Sequence, residues 1–539
     1  MSRLNPAVLA GIFLVFVALY GGMTWLAGGL YLDTHEGDSY HFVDILLRMA
    51  EGQVPHLDFV TPLGVLTFLP ISLLMQAGFE LGQATVLAQI AVASALLPFI
   101  LYVCGTRVSG GVGLLFGLFT LGLTLSLSFG SANSGVTISM HYNRWAWSVA
   151  FLVLALAMIP PRGTSRPALD GAIIGVLCGM LLLLKITYFV TLVPVAALAL
   201  GTRWGMRPIL AALVGGLVVI ALATVYFGPA FWLAYLHDIR VVTSSDVRPF
   251  VGVPLSEIIA GPAYVSATMV GFAAIFLIRK TGQEAVKTAV VLFLPAVIYI
   301  SYQNFGNDPQ WLLFVPVLLL ALRPEEGFAA VFGLDLRRAM ETTALLAVAV
   351  FFPSLFNIAM SPVEHLAFDR DRFVPMLPAE TGHQDIFIRE DRGYMMTARV
   401  LKDQENGPWS IFEERVERTP EPVFEGITFP TCEWMAGSRG FFDVLTADLN
   451  RSGIPEGSRI FTADILTAFW MFGPYRPPEN GAPWYYGDVS GLGNSDYVLI
   501  PKCGFVDRVR GIMIDDLANS GRSFDLVRNN ELYALFAVN

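Results

Sequence analysis

Residues 171–201 read GAIIGVLCGMLLLLKITYFVTLVPVAALALG, an apolar block of 31 residues interrupted by a single charge, Lys185. A helix crosses a bilayer in about 20 apolar residues, so the block is too long for one span. It lies between two basic segments, PRGTSRP at 161–167 and RWGMR at 203–207. Short basic loops mark the cytoplasmic side, and the chain must therefore cross an even number of times between them. The block predicts two short spans that turn outside, near Lys185.

The composition of the whole chain is that of a membrane protein. Of its 539 residues 55% are hydrophobic and 14% are charged, whereas a soluble domain carries about 25% charged residues. Apolar runs of about 20 residues recur over the first 360 positions, which predicts a polytopic α-helical membrane protein. The first run, residues 6–30, is too long for the core of a signal peptide and is predicted to be a retained span.

The basic loops also predict orientation and the number of spans. Together with Arg3, Arg279-Lys280 and Arg337-Arg338 they place the N-terminus in the cytoplasm. Residues 28–62 are then outside and 105–107 inside, so only one of the two apolar segments between them crosses. The segment 62–79 is shorter, contains Pro70 and is predicted to lie in the outer interface, whereas 84–104 crosses. Continuing along the chain gives about 11 spans in the cell inner membrane.

The character of the sequence changes near residue 361, where charged residues, prolines and glycines become frequent. Strand-like runs follow at 458–464, 496–502 and 523–538, and Asn529-Asn530 is typical of a hairpin turn. We therefore predict two domains: a transmembrane domain over 1–360, with a first outer loop at 28–83, and a mixed α/β extracytoplasmic domain over 361–539. Cys432 and Cys503 lie in the second domain, and their spacing leaves open whether they pair.

Several classes of protein are excluded by charge and cysteine content. The net charge is −10 and no Lys/Arg cluster is long enough to hold a nucleic-acid backbone, so no nucleic-acid partner is expected. Four cysteines are too few for a disulfide framework. Cys104 and Cys178 lie in apolar segments and are expected to be small core residues.

The first outer loop concentrates charge that is scarce elsewhere, in DTHEGDSYHF at 33–42. Residues 38–51 are spaced as an amphipathic helix that would lie flat on the bilayer. Asp38 or Ser39 is placed to cap its N-terminus. Asp44 and Arg48 are spaced as an exposed pair worth a few tenths of a kcal/mol. One short helix does not account for so many acids in this loop.

The segment GDSYHFVDILLRMAEGQVPHLDFVTPLGVLTFLP at 37–70 resembles the first outer loop of polyprenyl-phosphate-dependent GT-C glycosyltransferases. It is most similar to the RgtA/B/C/D-like and dolichyl-phosphate-mannose-mannosyltransferase-like branch. The resemblance lies in Asp38 with Tyr40, in the turn 52–59 (GQVPHLDF), and in the apolar segment that Pro62 begins. Many relatives carry Asp-Glu where this chain has Asp38-Ser39, which leaves open whether Asp38 or Glu36 is the main carboxylate.

The resemblance implies a GT-C-like fold and transfer of a sugar from a polyprenyl-phosphate-linked donor to an extracytoplasmic glycan, lipid or protein. In this family the first-loop acid, here Asp38 or Glu36, is the catalytic base. The chemistry is consistent with these residues, because a carboxylate can take the proton of an attacking acceptor hydroxyl. The departing lipid phosphate needs positive charge nearby. No cofactor is assigned.

Lys185 and Arg144 are the candidates for binding the donor phosphate. A lysine within a span costs about 2.5–3.5 kcal/mol, so such cations usually have a partner or a task. Arg144 precedes a span from outside, and its fork suits phosphate oxygens. The candidates for binding the sugar or acceptor are polar residues of the outer loops and turns: Tyr40, His41, His56, Asp58, Asn143, Tyr188, Asn307 and Asp308.

Two other classes of function and one metal site remain as alternatives. A transporter or flippase of lipid-linked intermediates is expected to place polar residues at the bilayer midplane, often in repeated halves. A non-catalytic scaffold accounts for the topology but not for the charged outer loops. Glu36, Asp38, His41, His56 and Asp58 are ligand types that suit divalent ions, but their spacing matches no metal motif and no metal is assigned.

Overall fold

The computed structural model describes residues 5–108, 110–245, 254–304, 308–331, 333–400 and 421–539. The described residues fall into two compact units. Unit 1 comprises the described residues within 1–30, 63–232 and 250–368. Unit 2 comprises the described residues within 31–62, 233–249 and 369–539. Unit 2 is therefore assembled from three separate segments of the chain.

The described helices and strands are numbered here in chain order. The helices are α1 (Pro6–Leu26), α2 (Glu36–Ala50), α3 (Leu69–Gln76), α4 (Leu81–Thr106), α5 (Gly110–Leu125), α6 (His141–Met158), α7 (Pro167–Leu184), α8 (Ile186–Trp204), α9 (Met206–Phe227), α10 (Ala230–Ser244), α11 (Leu255–Ala260), α12 (Pro262–Lys280), α13 (Glu284–Gln303), α14 (Phe314–Leu322), α15 (Leu336–Ala367), α16 (Glu390–Gly393), α17 (Ser438–Arg451) and α18 (Asp507–Ala518). The strands are β1 (Leu30–Leu32), β2 (Ala330–Val331), β3 (Leu334–Asp335), β4 (Phe373–Pro375), β5 (Ile386–Arg389), β6 (Thr397–Val400), β7 (Val423–Phe424), β8 (Ile427–Thr428), β9 (Cys432–Ala436), β10 (Ile460–Thr462), β11 (Tyr497–Pro501), β12 (Phe524–Asn529) and β13 (Tyr533–Val538).

Unit 1 contains the apolar helices. Within the described residues, eight helices are long and apolar enough to cross a membrane: α1, α4, α7, α8, α9, α12, α13 and α15. Two shorter apolar helices, α5 and Gln310–Leu322, accompany them. The predicted polytopic helical class is confirmed, and the chain is a multi-pass membrane protein. The predicted total of about 11 spans and the predicted orientation stay predictions.

The break at Lys185 is confirmed. Helix α7 ends at Leu184, Lys185 is extended (φ −156°, ψ 112°), and α8 begins at the next residue. The carbonyl oxygen of Leu184 accepts hydrogen bonds from the Gly64 amide (3.1 Å) and the Thr67 hydroxyl (3.0 Å), which satisfy the helix end. A Cβ at Gly64 would lie 2.1 Å from the carbonyl oxygen of Leu183, so this approach requires glycine.

The segment 62–79 does not form a span. It contains a short 3-10 helix at Val65–Thr67 and the eight-residue α3. Eight residues rise about 12 Å, less than half of a bilayer core. The following helix, α4, has 26 residues and is a candidate span, as predicted.

Helices α7 and α9 pack closely through glycines. A Cβ on Gly175 would lie 1.9 Å from the carbonyl oxygen of Ala212, and one on Gly171 would lie 2.1 Å from that of Pro208. These glycines recur every four residues and therefore share one face of α7. Small residues at such spacing let two membrane helices approach at backbone distance.

Unit 2 is mixed α/β, as predicted. Its largest sheet has the order β10-β11-β13-β12, with β10 parallel to β11 and the other pairs antiparallel. All four of its strands lie within the three strand-like runs that the sequence indicated. The predicted hairpin turn is confirmed, because the Asn530 side chain accepts from the amides of Leu532 (2.8 Å) and Tyr533 (2.9 Å) between β12 and β13.

The core of unit 2 lies between this sheet and α18. Val509, Met513 and Leu517 of α18 are buried against the sheet residues Val498 and Phe536. The two cysteines whose pairing the sequence left open, Cys432 and Cys503, are joined as a disulfide. Their Cα atoms are 5.0 Å apart, within the usual range for a disulfide.

Candidate functional site

Glu36 opens helix α2 and is held by an arginine far along the chain. The residue before it, His35, lies in the left-handed region (φ 57°, ψ 46°) and makes no side-chain cap. Both Glu36 oxygens accept from Arg392, with 2.7 Å between Oε2 and Nη2. Glu36 is buried and Arg392 is about half exposed. Arg392 thus neutralises the charge of Glu36 and donates hydrogen bonds to both of its oxygens.

Asp38 is not the helix cap. Helix α2 begins at Glu36, two residues earlier than predicted, so Asp38 lies inside its first turn and is half-buried. Ser39 does not cap the helix either, since its hydroxyl donates to the carbonyl oxygen of His35 (2.9 Å). A carboxylate in the first turn is favoured by the helix dipole. Asp38 is therefore an acid whose position is not explained by capping.

The prediction that Asp44 and Arg48 form an exposed pair is wrong. Both side chains are fully buried, with Arg48 Nε 2.5 Å from Asp44 Oδ1. The Trp470 indole nitrogen donates to the second carboxylate oxygen (2.8 Å), and the guanidinium faces the rings of Phe59 and Trp470. Helical periodicity predicted that the two charges share a face, but could not predict that distant residues cover it.

The apolar face of α2 is covered as well. The ring of Tyr40 packs against Phe442 and Phe472, and its hydroxyl donates to the carbonyl oxygen of Met376 (3.3 Å). Burial raises the pKa of Tyr40. This helix is an internal element of unit 2, and the predicted flat-lying helix with a free apolar face is not observed.

The two histidines of the first loop have different partners. The Nε2 atom of His41 is 2.6 Å from the Tyr486 hydroxyl, and His41 is half-buried beside the Trp484 ring. His56 is buried, and its Nδ1 is 2.8 Å from Asp238 Oδ2. Burial raises the pKa of Asp238, although His56 opposes that shift. Only His41 of the two lies partly open to solvent.

Asp58 closes the turn within GQVPHLDF. Its Oδ2 accepts from the Val54 amide (2.7 Å), and its carbonyl oxygen accepts from the Asn480 amide (2.9 Å). The Asp58 residue is exposed. The hydrogen bonds give it a structural role in the turn.

Lys185 lies in a polar cluster of unit 1 that includes three predicted residues. Its Nζ donates to the side-chain oxygens of Asn143 (3.1 Å) and Asn304. The Tyr188 hydroxyl donates to the Asn143 carbonyl oxygen (3.4 Å) and accepts from Asn304 Nδ2 (3.2 Å). The ammonium also faces the Tyr142 ring at 5.1 Å. The structure thus brings Lys185, Asn143 and Tyr188 together.

Arg144 is buried without an ion-pair partner among the described residues. It is 1% exposed, and its Nη2 donates to the carbonyl oxygen of Ser126 (2.9 Å). Its Nε and Nη1 have no acceptor in the described part of the chain. The Ser126 hydroxyl lies within hydrogen-bond distance of Ser128 and Ser361, so this part of unit 1 is polar but neutral. A buried cation in such surroundings calls for an anion.

Asp308 ties a loop to a helix of unit 1. Its Oδ2 accepts from the Ala132 amide (2.7 Å) and from the Ser354 hydroxyl of α15. No described contact joins it to the Lys185 cluster. Asn307 lies outside the described residues.

Sequence reasoning missed the residues that complete these contacts. They are Arg392, Trp470 and Tyr486, and the pairing of Asn304 and of Asp238 was not predicted either. Their partners lie more than 100 positions away, and no local pattern indicates such pairs. In the described ranges, no group of three or more His, Cys, Asp or Glu side chains is arranged to hold a metal ion.

Comparisons with known proteins identify no family. No family model matches the sequence, and no curated protein matches it. Among solved structures, the chain is similar to the single-particle cryo-EM structure of the arabinofuranosyltransferase AftD from Mycobacteria, with a TM-score of 0.38 and 13% identity. The match covers 100% of this chain and 40% of that one, so the chain spans less than half of its length. A likeness at this level assigns no residue and no activity.

Proposed function

We propose that the chain is an integral membrane glycosyltransferase of the GT-C type, which moves a sugar from a polyprenyl-phosphate-linked donor to an extracytoplasmic glycan, lipid or protein. The observation that carries the proposal is Arg144, a buried guanidinium of unit 1 with two nitrogens that lack acceptors in the described chain. Burying a cation is costly unless an anion accompanies it. The donor phosphate would supply that anion, and the resemblance of residues 37–70 to GT-C first loops favours the same donor.

Lys185 supports the same role for unit 1. It lies at a break between two candidate spans, where its ammonium is held by the amide oxygens of Asn143 and Asn304. Holding the ammonium in advance reduces the reorganisation needed when charge develops on a leaving phosphate. Tyr188 and Asn143 belong to the same cluster and would contact the donor head group.

Asp38 is the proposed catalytic base. Both oxygens of Glu36 are engaged by Arg392, whereas Asp38 is half-buried in the first turn of the same helix. The Asp38 carboxylate would take the proton of the acceptor hydroxyl as that oxygen bonds to the anomeric carbon. The bond from this carbon to the phosphate oxygen breaks, and polyprenyl phosphate leaves with its electron pair.

The remaining first-loop residues divide by exposure. His41 is half-buried and would contact substrate. Tyr40 and His56 are buried and would position the loop. The hydrogen bonds of Asp58 suit the same positioning task, and those of Asp308 suit the positioning of its own loop against α15. The role of Asn307 in binding substrate stays a prediction.

The location is proposed to be the cell inner membrane, with the N-terminus in the cytoplasm and unit 2 outside. The basic loops support this orientation. The disulfide between Cys432 and Cys503 supports it independently, because disulfides persist in oxidising compartments. The transporter and scaffold alternatives gain no specific support from the contacts of the described residues.

A complementation experiment tests the proposal. Cells that lack the protein receive the native chain, Asp38→Asn, Arg144→Gln or the control Glu51→Gln, at matched membrane levels, and envelope glycans are measured by mass spectrometry. Glu51 is exposed at the other end of α2, which makes it a matched carboxylate control. We expect one sugar to be missing in the deletion strain, and to return with the native chain and Glu51→Gln but not with the other two variants. Return of the sugar with Asp38→Asn would exclude Asp38 as base, and an unchanged glycan profile in the deletion strain would exclude the transferase.

A further inference from the structure

An open pocket of unit 1 is lined by three arginines. Its cavity volume is about 190 Å³, smaller than most sites for drug-sized molecules, about 300–1,000 Å³. The residues that line it, called here the arginine pocket, are Arg107, Val108, Val112, Arg162, Leu320, Ala321 and Arg323. Arg107 and Val108 follow the end of α4, and Val112 lies in the first turn of α5. Arg162 follows α6, and Leu320, Ala321 and Arg323 lie at or just after the end of α14. The pocket is therefore formed at the ends of these four helices. None of the lining residues is acidic.

Positive charge is in excess around the arginine pocket. Arg107 pairs with Asp170 (Nη2 to Oδ2, 2.6 Å). Arg323 pairs with Glu341 (2.9 Å), which also contacts Arg337 (3.3 Å). Arg162 is exposed and forms no ion pair in the described part of the chain. The three arginines that line the pocket thus face two carboxylates, Asp170 and Glu341, which leaves one guanidinium, that of Arg162, in excess among these groups.

One donor of the pocket is buried and has no acceptor. Arg107 is 2% exposed, and its Nε atom has no hydrogen-bond partner in the described ranges. Helix α5, which has 16 residues, begins at Gly110 beside it, and Val112 of its first turn lines the pocket. The first amides of a helix have no acceptor within the helix and carry partial positive charge.

Helix carbonyl groups near the pocket already have donors. The Arg203 guanidinium donates to the carbonyl oxygens of Ala157 (3.3 Å) and Met158 (2.6 Å), at the end of α6. The Thr106 carbonyl oxygen, at the end of α4, accepts from the Arg162 amide (2.8 Å). These hydrogen bonds offset much of the partial negative charge at the two helix ends. That charge therefore does not neutralise the guanidinium groups of the pocket.

We propose that the arginine pocket is a binding site for a phosphate group. Arginine forks and the amides of a helix N-terminus are the groups that bind phosphate oxygens in proteins. Helix α4 is a candidate span that ends at Thr106, which places the pocket near a membrane surface. The phosphate could come from the head group of an anionic phospholipid or from a soluble phosphate compound. The site lies apart from Arg144 and Asp38 in the sequence, and the proposal does not rest on the transferase function.

Binding measurements on the full chain test the proposal and distinguish the two sources. The protein is reconstituted in nanodiscs of phosphatidylcholine with or without phosphatidylglycerol, and bound lipid is counted by native mass spectrometry. In a second arm, inorganic phosphate or pyrophosphate is titrated into phosphatidylcholine nanodiscs and followed by calorimetry. Binding of phosphatidylglycerol alone would assign a lipid head group, and binding of a soluble anion would assign a soluble ligand.

The variants are the double substitution Arg162→Gln with Arg323→Gln, the single substitution Arg107→Lys, and the control Arg166→Gln. Arg166 is exposed in the same loop as Arg162 but does not line the pocket. Arg107→Lys keeps a charge for Asp170 and removes the fork. We expect the double variant to weaken binding at least about tenfold and Arg107→Lys to weaken it severalfold, with the control within twofold. The proposal is overturned by absence of binding in both arms, by equal binding of the double variant, or by an equal loss in the control.

Discussion

The Asp44 carboxylate accepts a hydrogen bond from the Trp470 indole nitrogen, 426 positions further along the chain, at 2.8 Å. The same carboxylate holds Arg48, and all of these groups lie inside unit 2. Further hydrogen bonds to a buried charge pair help to offset the cost of removing it from water. Trp470 supplies one such bond, and residues 31–62 and the C-terminal segment belong to the same compact unit.

Asp44→Asn is expected to destabilise unit 2 strongly. The substitution leaves the Arg48 guanidinium buried without its counter-charge, which typically costs about 3–5 kcal/mol. The measurement is denaturant unfolding of the full chain in detergent, followed by tryptophan fluorescence. Glu479→Gln is the control, because it removes an exposed pair with Arg459 and should cost less than about 1 kcal/mol. Equal losses in the two variants would contradict a stabilising role for the buried pair.

Glu36 and Asp38 are expected to separate into a structural and a catalytic acid. Glu36→Gln and Arg392→Gln should each lower stability, and together they should be less than additive because they break the same pair. Asp38→Asn should lower stability by less than about 1 kcal/mol, the size of a helix-dipole effect, and lower transfer by about 10²–10⁴-fold, the usual contribution of a general base. Thermal unfolding and the glycan assay give the two readouts. Loss of transfer in Glu36→Gln at native stability would make Glu36 the base.

Gly175→Ala is expected to force helices α7 and α9 apart. The added Cβ would lie 1.9 Å from the Ala212 carbonyl oxygen, a backbone atom that cannot move alone. Overpacking of this kind costs about 1–3 kcal/mol. The yield of folded protein after detergent extraction and its melting temperature measure the effect. Gly22→Ala in α1 is the control, since its Cβ would meet nothing within 4 Å, and a matching loss there would contradict the packing argument.

Asp464 gives unit 2 a pH-dependent stability. It is buried, and burial raises its pKa from 3.8 to about 6, against the lowering effect of hydrogen bonds from the backbone amides of Phe505, Ile465 and Val506. Because the folded pKa lies above the unfolded value, the folded state binds more protons between pH 4 and 6. The contribution of Asp464 to the free energy of unfolding is therefore present below pH 4 and falls as the pH rises to 6.

Melting temperatures of the native chain and Asp464→Asn between pH 4 and 7 test this sign. The asparagine side chain does not titrate. The melting temperature of the native chain minus that of the variant should therefore decrease as the pH rises from 4 to 6. It should be constant above about pH 7. A difference that moves the other way would mean that the three backbone donors outweigh burial.

Local sequence patterns predicted the parts of the fold that depend on interactions between residues close together in the chain. Lys185 interrupts an apolar block that is too long for one span, and the helix breaks there. Asn530 forms the predicted hairpin turn because its side chain can satisfy the amides that follow it. The spacing of Asp44 and Arg48 predicted that they share a helix face. It could not predict their burial, because burial depends on Trp470.

The candidate residues can be selected from the sequence by residue type, but their partners cannot. Asp38, Lys185 and Arg144 stand out because charge is rare in this sequence. The partner of Glu36 could not be recognised, because Arg392 is one of several arginines in a charged stretch and only tertiary structure selects it. Asn304 likewise could not be assigned to the Lys185 cluster, because the sequence shows only that it lies in a polar turn.

The separation of Asp44 from Trp470 also sets an order of events during biosynthesis. At about 5–20 residues per second, the ribosome needs about 20–85 s to make the 426 residues between them. Throughout that interval helix α2 has been synthesised while Trp470, which covers the Asp44–Arg48 pair, has not. Unit 2 can therefore be completed only at the end of translation. A chain that terminates early, before residue 470, would leave the Asp44–Arg48 pair without Trp470 and part of the apolar face of α2 exposed, and exposed apolar surface makes incomplete chains prone to aggregation.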